Sequence, residues 1–284
     1  MTTLSDWLKS ARLQIDAPDA RLLLQHVLGL SHADLICKKD TPLDAPCAAR
    51  LAALVERRAQ GEPLAYLIGE ASFRARTFKV TPAVLVPRPE TEELVGHALA
   101  ALAESSAPEP AVLDLGCGSG VIAISIALES PRAKVTGVDA SAEALQVAHA
   151  NALALAADVR FLQSDWFSAL AGARFHLIVA NPPYIAADDP HLAGDGLRHE
   201  PRLALTDEAD GLSCLRHIAT HAPRHLEEGG VLLCEHGYNQ GEAVRHLLTA
   251  AGFQNVQTLR DLGGQERISC GNWSARNLNQ NESS

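Results

Sequence analysis

The sequence predicts an α/β protein, a doubly wound sheet preceded by a small all-α helical bundle. Three observations carry this. From Ala111 onward a strand, a glycine turn and a helix follow one another repeatedly. Residues 1 to about 70 instead place apolar residues at mixed spacings of three and four. Between them, Pro87 and Pro89 around Arg88 make a rigid, extended connector.

In chain order, Leu4, Trp7, Leu8, Ala11 and Leu13 form the first apolar stripe, with Ser5 as its expected N-cap. Pro18-Asp19 opens a second run from Ala20 to Leu30, and Ser31-His32-Ala33-Asp34 has the pattern of a third helix start. Asp44 to Gln60 is a longer helix, striped by Leu51, Leu54 and Val55 and ended by Gly61. Several short helices with apolar faces imply a bundle. It is either a packing domain or a partner-binding head. From Phe73 to Val80 the period shifts toward alternation, as in a hairpin or bridging strand, and the domain boundary is placed near residue 75. Thr91 is the expected cap of the next helix, and Arg88 and Glu90 either border a cleft or pair on the surface.

The second half reads as strands at Ala111–Leu115, Lys134–Val138, Val159–Gln163, Leu177–Ala180 and Val231–Glu235. Helices are expected at Val121–Leu128, Ala142–Leu155, Leu212–Leu226 and Gln240–Ala250. Two closing strands, Val256–Leu259 and Glu266–Cys270, join through the tight turn Gly263-Gly264-Gln265. The polar end from Trp273 to Ser284 is expected to fray.

At 284 residues, 47% hydrophobic and 20% charged, the chain can bury one large or two ordinary cores. No stretch reaches the length of an apolar membrane span, and the first residues lack a signal-peptide pattern, so the cytoplasm is expected. The six cysteines stand far apart without a CxxC pair, which suits reduced thiols rather than a zinc knuckle. Residues 1–90 carry 12 Lys and Arg against 10 Asp and Glu, whereas 91–284 carry 12 against 24. An acidic second half repels a phosphate backbone, which disfavours long nucleic acid as substrate.

Chemistry concentrates on successive strand ends. Gly116-Cys117-Gly118-Ser119-Gly120 follows the first strand and opens a helix, letting backbone approach a ligand and offering N–H groups to a carboxylate. A dinucleotide is the other reading, although Val121 stands where a further glycine would fall. Asp139 at the tip of the second strand is placed to bond a ribose diol, or else caps the next helix. After the third strand, Asp165 and Trp166 can hold and flank an adenine, or Trp166 is simply core. The fourth strand stops at Asn181-Pro182-Pro183-Tyr184, because neither proline can donate to a neighbouring strand. The Asn181 side-chain oxygen and the Pro182 carbonyl make two acceptors on a stiff frame, suited to a planar NH2 group, with Tyr184 as a flat wall. The bland alternative is a turn that merely ends a strand. His217, His221 and His225 have the face spacing of zinc ligands, but Pro223 interrupts them and no acid is aligned, so no metal is expected.

Together DLGCGSG, Asp139, SDWF and NPPYI resemble the AdoMet-dependent protein-(glutamine-N5) methyltransferases of peptide chain release factors, the PrmC or HemK family. GEPLAYLIGE (61–70), VLVPRPETEEL (84–94), VTGVDASAEAL (135–145), GDGLRHEPRLAL and EHGYNQGEAVR (235–245) extend the resemblance along nearly the whole chain. It implies a Rossmann-like class I methyltransferase domain over 91–276, behind a release-factor-binding helical bundle over 1–75 and a hairpin or linker over 76–90, with a frayed tail at 277–284. S-adenosyl-L-methionine is then the methyl donor. Gly116, Cys117, Gly118, Ser119 and Gly120 would lie against its methionine portion, Asp139 on the ribose and Trp166 near the adenine, with Asn181 also contributing. Asn181, Pro182, Pro183 and Tyr184 would surround the substrate glutamine of a GGQ loop, with Asn181 as the catalytic group. The chain's own Gly263-Gly264-Gln265 shares those letters by coincidence. The implied partner is a release factor, with no nucleic acid and no membrane, and the chain acts as a monomer. Adenine-N6 DNA methylation, ribosomal-protein glutamine methylation and a non-catalytic AdoMet-binding adaptor are the alternatives.

Overall fold

The computed structural model describes residues 2–194 and 196–274. They divide into two compact units, one from the N-terminus to Glu70 with Ala193–His199, the other Ala71–Leu192 with the chain from Glu200 onward.

In the first unit, α1 (Leu4–Ala11) is capped by Thr3, not by Ser5, which lies inside its first turn. Thr3 Oγ1 accepts the Asp6 N–H at 3.2 Å while the Asp6 carboxylate accepts from Thr3. This reciprocal pair needs an acid three residues after the cap, which Ser5 lacks. The same box joins Ser31 and Asp34 at the start of α3 (His32–Cys37). Between them, α2 (Ala17–Leu28) has Pro18 in its first turn and stops at Gly29, whose φ is +64°. Asp44 caps α4 (Ala45–Ala59), and the unpredicted α5 (Leu64–Ile68) lies within GEPLAYLIGE and ends at Gly69. Leu4, Trp7, Leu23, Leu24, Leu51 and Leu54 make the core. Within this unit the Gln60 carbonyl accepts from Arg198 and is in reach of His199.

The second unit opens with a hairpin of β1 (Glu70–Phe73) and β2 (Arg76–Lys79). Arg74 and Ala75 both have positive φ, +46° and +57°, as a two-residue hairpin turn demands. Residue 75, the expected boundary, is therefore the tip of this hairpin, and the units part after Glu70.

α6 (Thr91–Glu104) precedes β3 (Ala111–Leu115), and the chain continues through α7 (Val121–Glu129), β4 (Lys134–Asp139), α8 (Ala142–Ala154), β5 (Val159–Gln163) and β6 (Phe175–Ala180). α9 (Ser213–His221), β7 (Leu226–Glu235), α10 (Gly241–Ala250), β8 (Gln254–Arg260) and β9 (Glu266–Asn272) complete it. The strands lie in the order β5-β4-β3-β6-β7-β9-β8, with β9 antiparallel to both neighbours. Val112, Leu177 and Val179 face one core and Leu113, Leu115, Ile178 and Ala180 the other, so β3 and β6 are buried on both faces.

Three further expectations fail. The helix read through to Leu226 stops at His221, because Pro223 tightens the chain into a 3-10 turn and Leu226 already belongs to β7. Thr91 does not cap α6, whose cap residue is Glu90; Thr91 is its first helical residue. Trp273 is not frayed: it is 5% exposed, meets Phe253 edge-on and exchanges backbone bonds with Gly229 and Gly230. The tail expected at 277–284 lies outside the described residues. Among those described, no helix is long and apolar enough to cross a membrane.

Candidate active site

The chain runs outward from β3 to β5, then returns to β6 on the other side of β3. That reversal leaves a crevice outside the carboxyl ends of β3 and β6, the place where open α/β sheets bind ligands. The glycine loop and NPPY are the segments that leave those two ends.

The loop's backbone is largely bonded to the rest of the protein, chiefly to the end of β4. The Gly116 and Cys117 N–H groups donate to the Val138 carbonyl, each at 2.9 Å, and Gly120 donates to the Cys117 carbonyl at 2.7 Å. Cys117 turns its thiol into the core, where burial raises its pKa. The start of α7 is already occupied by a carboxyl of this chain: Asp114 Oδ2 accepts the Ala123 N–H at 3.0 Å. Asp114 is wholly buried, its Oδ1 has no hydrogen-bond partner among the described residues, and loss of hydration lifts its pKa to about 7. A ligand is left the open faces of Gly116 and Gly118. Both have positive φ, and a Cβ built on either meets nothing within 4 Å. Gly120 differs, because a Cβ there would stand 2.9 Å from Ile124 Cδ1. Ser119 is buried, and its carbonyl accepts from Asn151 at 2.9 Å.

Asp139 does not cap α8; Ser141 does, accepting the Ala144 N–H at 3.1 Å. Asp139 instead accepts from Gly118 at 2.8 Å and from Ser141 at 2.9 Å, which ties the two strand-end loops together. Trp166 follows β5 with a φ of +48°, unusual for a non-glycine residue. It is half-buried, with its ring centroid 6.1 Å from that of His217, and Asp165 beside it is exposed. His217 and His221 stack face to face at 4.1 Å and His225 stacks on Phe167 at 4.7 Å, so the three histidines do not converge on one point.

Asn181 to Tyr184 are mounted from several sides. Asn181 Nδ2 donates to Thr91 Oγ1 at 3.1 Å, and the Tyr184 hydroxyl donates to Glu235 Oε1 at 3.4 Å. The Tyr184 carbonyl accepts from Gln240 Nε2 at 2.9 Å, and Ile185 pairs with Leu205. Burial pushes the Tyr184 phenol well up. Pro182 is buried and Pro183 half-buried. Among the described residues no hydrogen bond reaches Asn181 Oδ1 or the Pro182 carbonyl. They remain two unengaged acceptors on a braced frame. Arg88 bonds the almost fully buried Glu200 at 2.5 Å, and Glu200 also accepts the Val86 N–H. The connector is thereby anchored to the segment after NPPY, while Glu90 stays exposed.

Thr91 was read from the sequence only as a helix cap, and Glu200, Glu235 and Gln240 were given no place at the site. The available signal was slight, such as an acid closing the wholly apolar strand Val231–Glu235.

Gly116, Gly118, Asp139 and Trp166 suit an elongated nucleoside with an amino-acid arm: open backbone for the arm, an acid for the diol and an aromatic for the base. Two family models match the chain, the PrmC N-terminal domain over residues 2–69 and the methyltransferase small domain over 96–194. The release factor glutamine methyltransferase of Burkholderia pseudomallei is 52% identical over 90% of this chain and 92% of its own length. That of Bordetella pertussis is 50% identical over 95% and 99%, and that of Escherichia coli 42% over 94% and 98%. Among solved structures, a methyltransferase from Pyrococcus furiosus aligns over 81% of this chain and all of its own, with TM-score 0.52 at 15% identity. This last likeness is one of fold.

Proposed function

The chain belongs to the release factor glutamine methyltransferase family, and on that premise we propose that it methylates a glutamine side-chain nitrogen of a peptide chain release factor, within its GGQ motif, from S-adenosyl-L-methionine. The observation that carries this is the pair of unengaged acceptors, Asn181 Oδ1 and the Pro182 carbonyl, beside the glycine loop.

AdoMet, when bound, supplies a methyl group on a sulfonium, an electrophile with a good leaving group. Gly116 to Gly120, Asp139, Trp166 and Asn181 would hold it, with Cys117 and Ser119 contributing backbone shape rather than side chains. A primary amide nitrogen is a poor nucleophile because its lone pair is delocalised into the carbonyl. Asn181 Oδ1 and the Pro182 carbonyl accept its two N–H bonds, fix its orientation and favour the positive charge that develops on it, and one of those protons leaves to water once the methyl has moved and the sulfur has departed as a neutral thioether. Tyr184 and Pro183 wall the flat carboxamide.

The helical unit is assigned to engaging the release factor. The acidic balance of residues 91–284 opposes a phosphate backbone as partner, and six unpaired thiols suit a reducing compartment. On this reading the chain is a cytoplasmic monomer that binds neither nucleic acid nor membrane.

The test is mass spectrometry of a release factor digest after incubation with AdoMet and the chain. One added methyl on the GGQ glutamine is expected. Asn181→Ala should lower turnover roughly 10²-fold, the loss typical of a preorganised polar group, while AdoMet affinity falls less. Turnover at the parent rate in that variant refutes the role of Asn181.

A further inference from the structure

The stretch assigned to the substrate amide has few backbone bonds to hold it. The ladders on either side of β6 end with Ala180, paired with Leu115 and with Cys234. Neither Pro182 nor Pro183 has an N–H to donate. Past those prolines the backbone is next held at the Tyr184 carbonyl, and the holder is a side chain 56 residues away: Gln240 Nε2 donates to it at 2.9 Å.

Gln240 stands at the cap position of α10, yet its side chain makes no bond to the helix's own N–H groups, the usual employment of a polar side chain there. Both hydrogens of its carboxamide are committed elsewhere. Oε1 accepts the Gly237 N–H at 2.8 Å, while Nε2 serves the Tyr184 carbonyl and, at 3.1 Å, the Gly211 carbonyl. A backbone N–H only donates and a carbonyl only accepts, so these three partners leave the carboxamide one way to seat. The Gln240 N–H in turn donates to the Gly237 carbonyl at 2.9 Å, which holds the root of the side chain as well.

The partners come close enough to exclude side chains of their own. Gly211 is buried with φ +77°, and a Cβ built on it would stand 2.6 Å from the Tyr184 carbonyl oxygen and 3.0 Å from Gln240 Nε2. A Cβ at Gly237 would come within 3.0 Å of Gln240 Oε1. One carboxamide thus joins three segments: the end of NPPY, the turn before α9 and the turn after β7.

We propose that Gln240 is a positioning residue for the methyl transfer: by clamping the Tyr184 carbonyl it sets where the Tyr184 ring and the Pro182 carbonyl meet the substrate amide. This rests on the glutamine-methylating reading above. Gln240 acts through the frame and not on a reacting atom. Pro182 and Pro183 fix their own φ, so a displacement at Tyr184 is passed back along the frame with little taken up between. The residues assigned to AdoMet lie mostly on other segments, so the clamp bears on the chemical step and not on donor affinity.

The test uses the full chain with AdoMet and release factor, each variant read at temperatures where its unfolding curve shows it folded. Gln240→Met keeps the length without the hydrogen bonds, and kcat should fall roughly 10²-fold, as when a reacting group is held out of line. AdoMet affinity should hold. Gln240→Glu separates a clamp from a filler. Its carboxylate can still accept from Gly237 but turns a negative oxygen on two carbonyls, so kcat should again be low. Once protonated it has one O–H to give, so the ratio of its kcat to the parent's should climb as pH falls. Taking the ratio cancels titrations common to both chains, among them those of Glu235, His236 and Asp207, which bond Tyr184, Gly237 and Gly211. The Gln240→Met ratio should stay flat. A readout without substrate is 19F NMR of the chain labelled with fluorotyrosine, whose three signals come from Tyr66, Tyr184 and Tyr238. In Gln240→Met the Tyr184 signal, assigned by its loss in Tyr184→Phe, should move while that of Tyr66 stays.

Gln240→Met at parental kcat overturns the proposal, as does AdoMet affinity that falls in step with kcat, or a Gln240→Glu ratio that does not climb. If Gln240→Met does not fold, the Gln240→Glu ratio decides, and failure of both to fold makes the residue structural and overturns the positioning role. A parent chain that leaves the release factor unmethylated sinks the substrate reading alone. In that case an unmoved Tyr184 signal overturns the clamp, and a moved one supports it.

Discussion

Asp114 and Glu235 are carboxyls that the sheet removes from water at the ends of β3 and β7, and each is lifted to about 7 by burial. For Asp114, whose ordinary value is 3.8, the native state keeps a proton that the unfolded chain has already released between those pH values. Its stabilising contribution is therefore fully present below the ordinary value and is lost as pH rises through about 7, a change of about 4 kcal/mol at most. Glu235 acts with the same sign. Glu129 acts oppositely, held at about 2 by Arg74 and Arg76, but in a more acidic window. Asp114→Asn should flatten much of the decline in urea midpoint between about pH 4 and about pH 7, because the amide cannot ionise there. A parental slope in that variant would mean that Asp114 keeps its hydration in the native state.

At the scale of elements, the glycine loop shows two kinds of glycine in one run. Gly118 has positive φ with open space where a side chain would stand, while Gly120 at φ +82° has Ile124, Ala148 and Phe161 within 3.3 Å of a built Cβ. Gly118→Ala should cost about 1 kcal/mol of stability from φ alone and markedly weaken AdoMet binding. Gly120→Ala should cost about 2 to 4 kcal/mol, since overpacking adds to the same strain. Thermal unfolding with calorimetric AdoMet titration separates the two, and equal stability losses would contradict the distinction. Elements of this kind were largely legible, because strand, glycine turn and helix repeat with a period that the chain prints directly. What stayed hidden depends on reciprocal partners. Thr3 outcompetes Ser5 because Asp6 answers it, and Ser141 rather than Asp139 caps α8 because Asp139 already holds Gly118. NPPY announced its acceptors, but Thr91 and Glu235, 90 and 54 residues away, reach it only through the fold.

For the whole molecule, the two units have separate cores: Leu4 to Leu67 in one, and residues from Phe73 onward in the two layers of the other. The catalytic half carries its own hairpin, closed by Arg74 and Arg76 on Glu129 at 2.5 to 2.9 Å. A chain of residues 71–284 should then unfold cooperatively and bind AdoMet as the full chain does, since every residue assigned to the donor lies within it. The segment Ala193–His199 loses its partners in the helical unit, among them the Gln60 carbonyl. If the helical unit engages the release factor, the shortened chain should show a KM for that protein raised roughly 10-fold or more, equivalent to about 1.4 kcal/mol of lost contact. Its kcat, which we assign to Asn181 and its supports, should be nearly retained. A shortened chain that loses kcat with KM unchanged would place the helical unit's contribution at the chemical step and remove it from substrate capture.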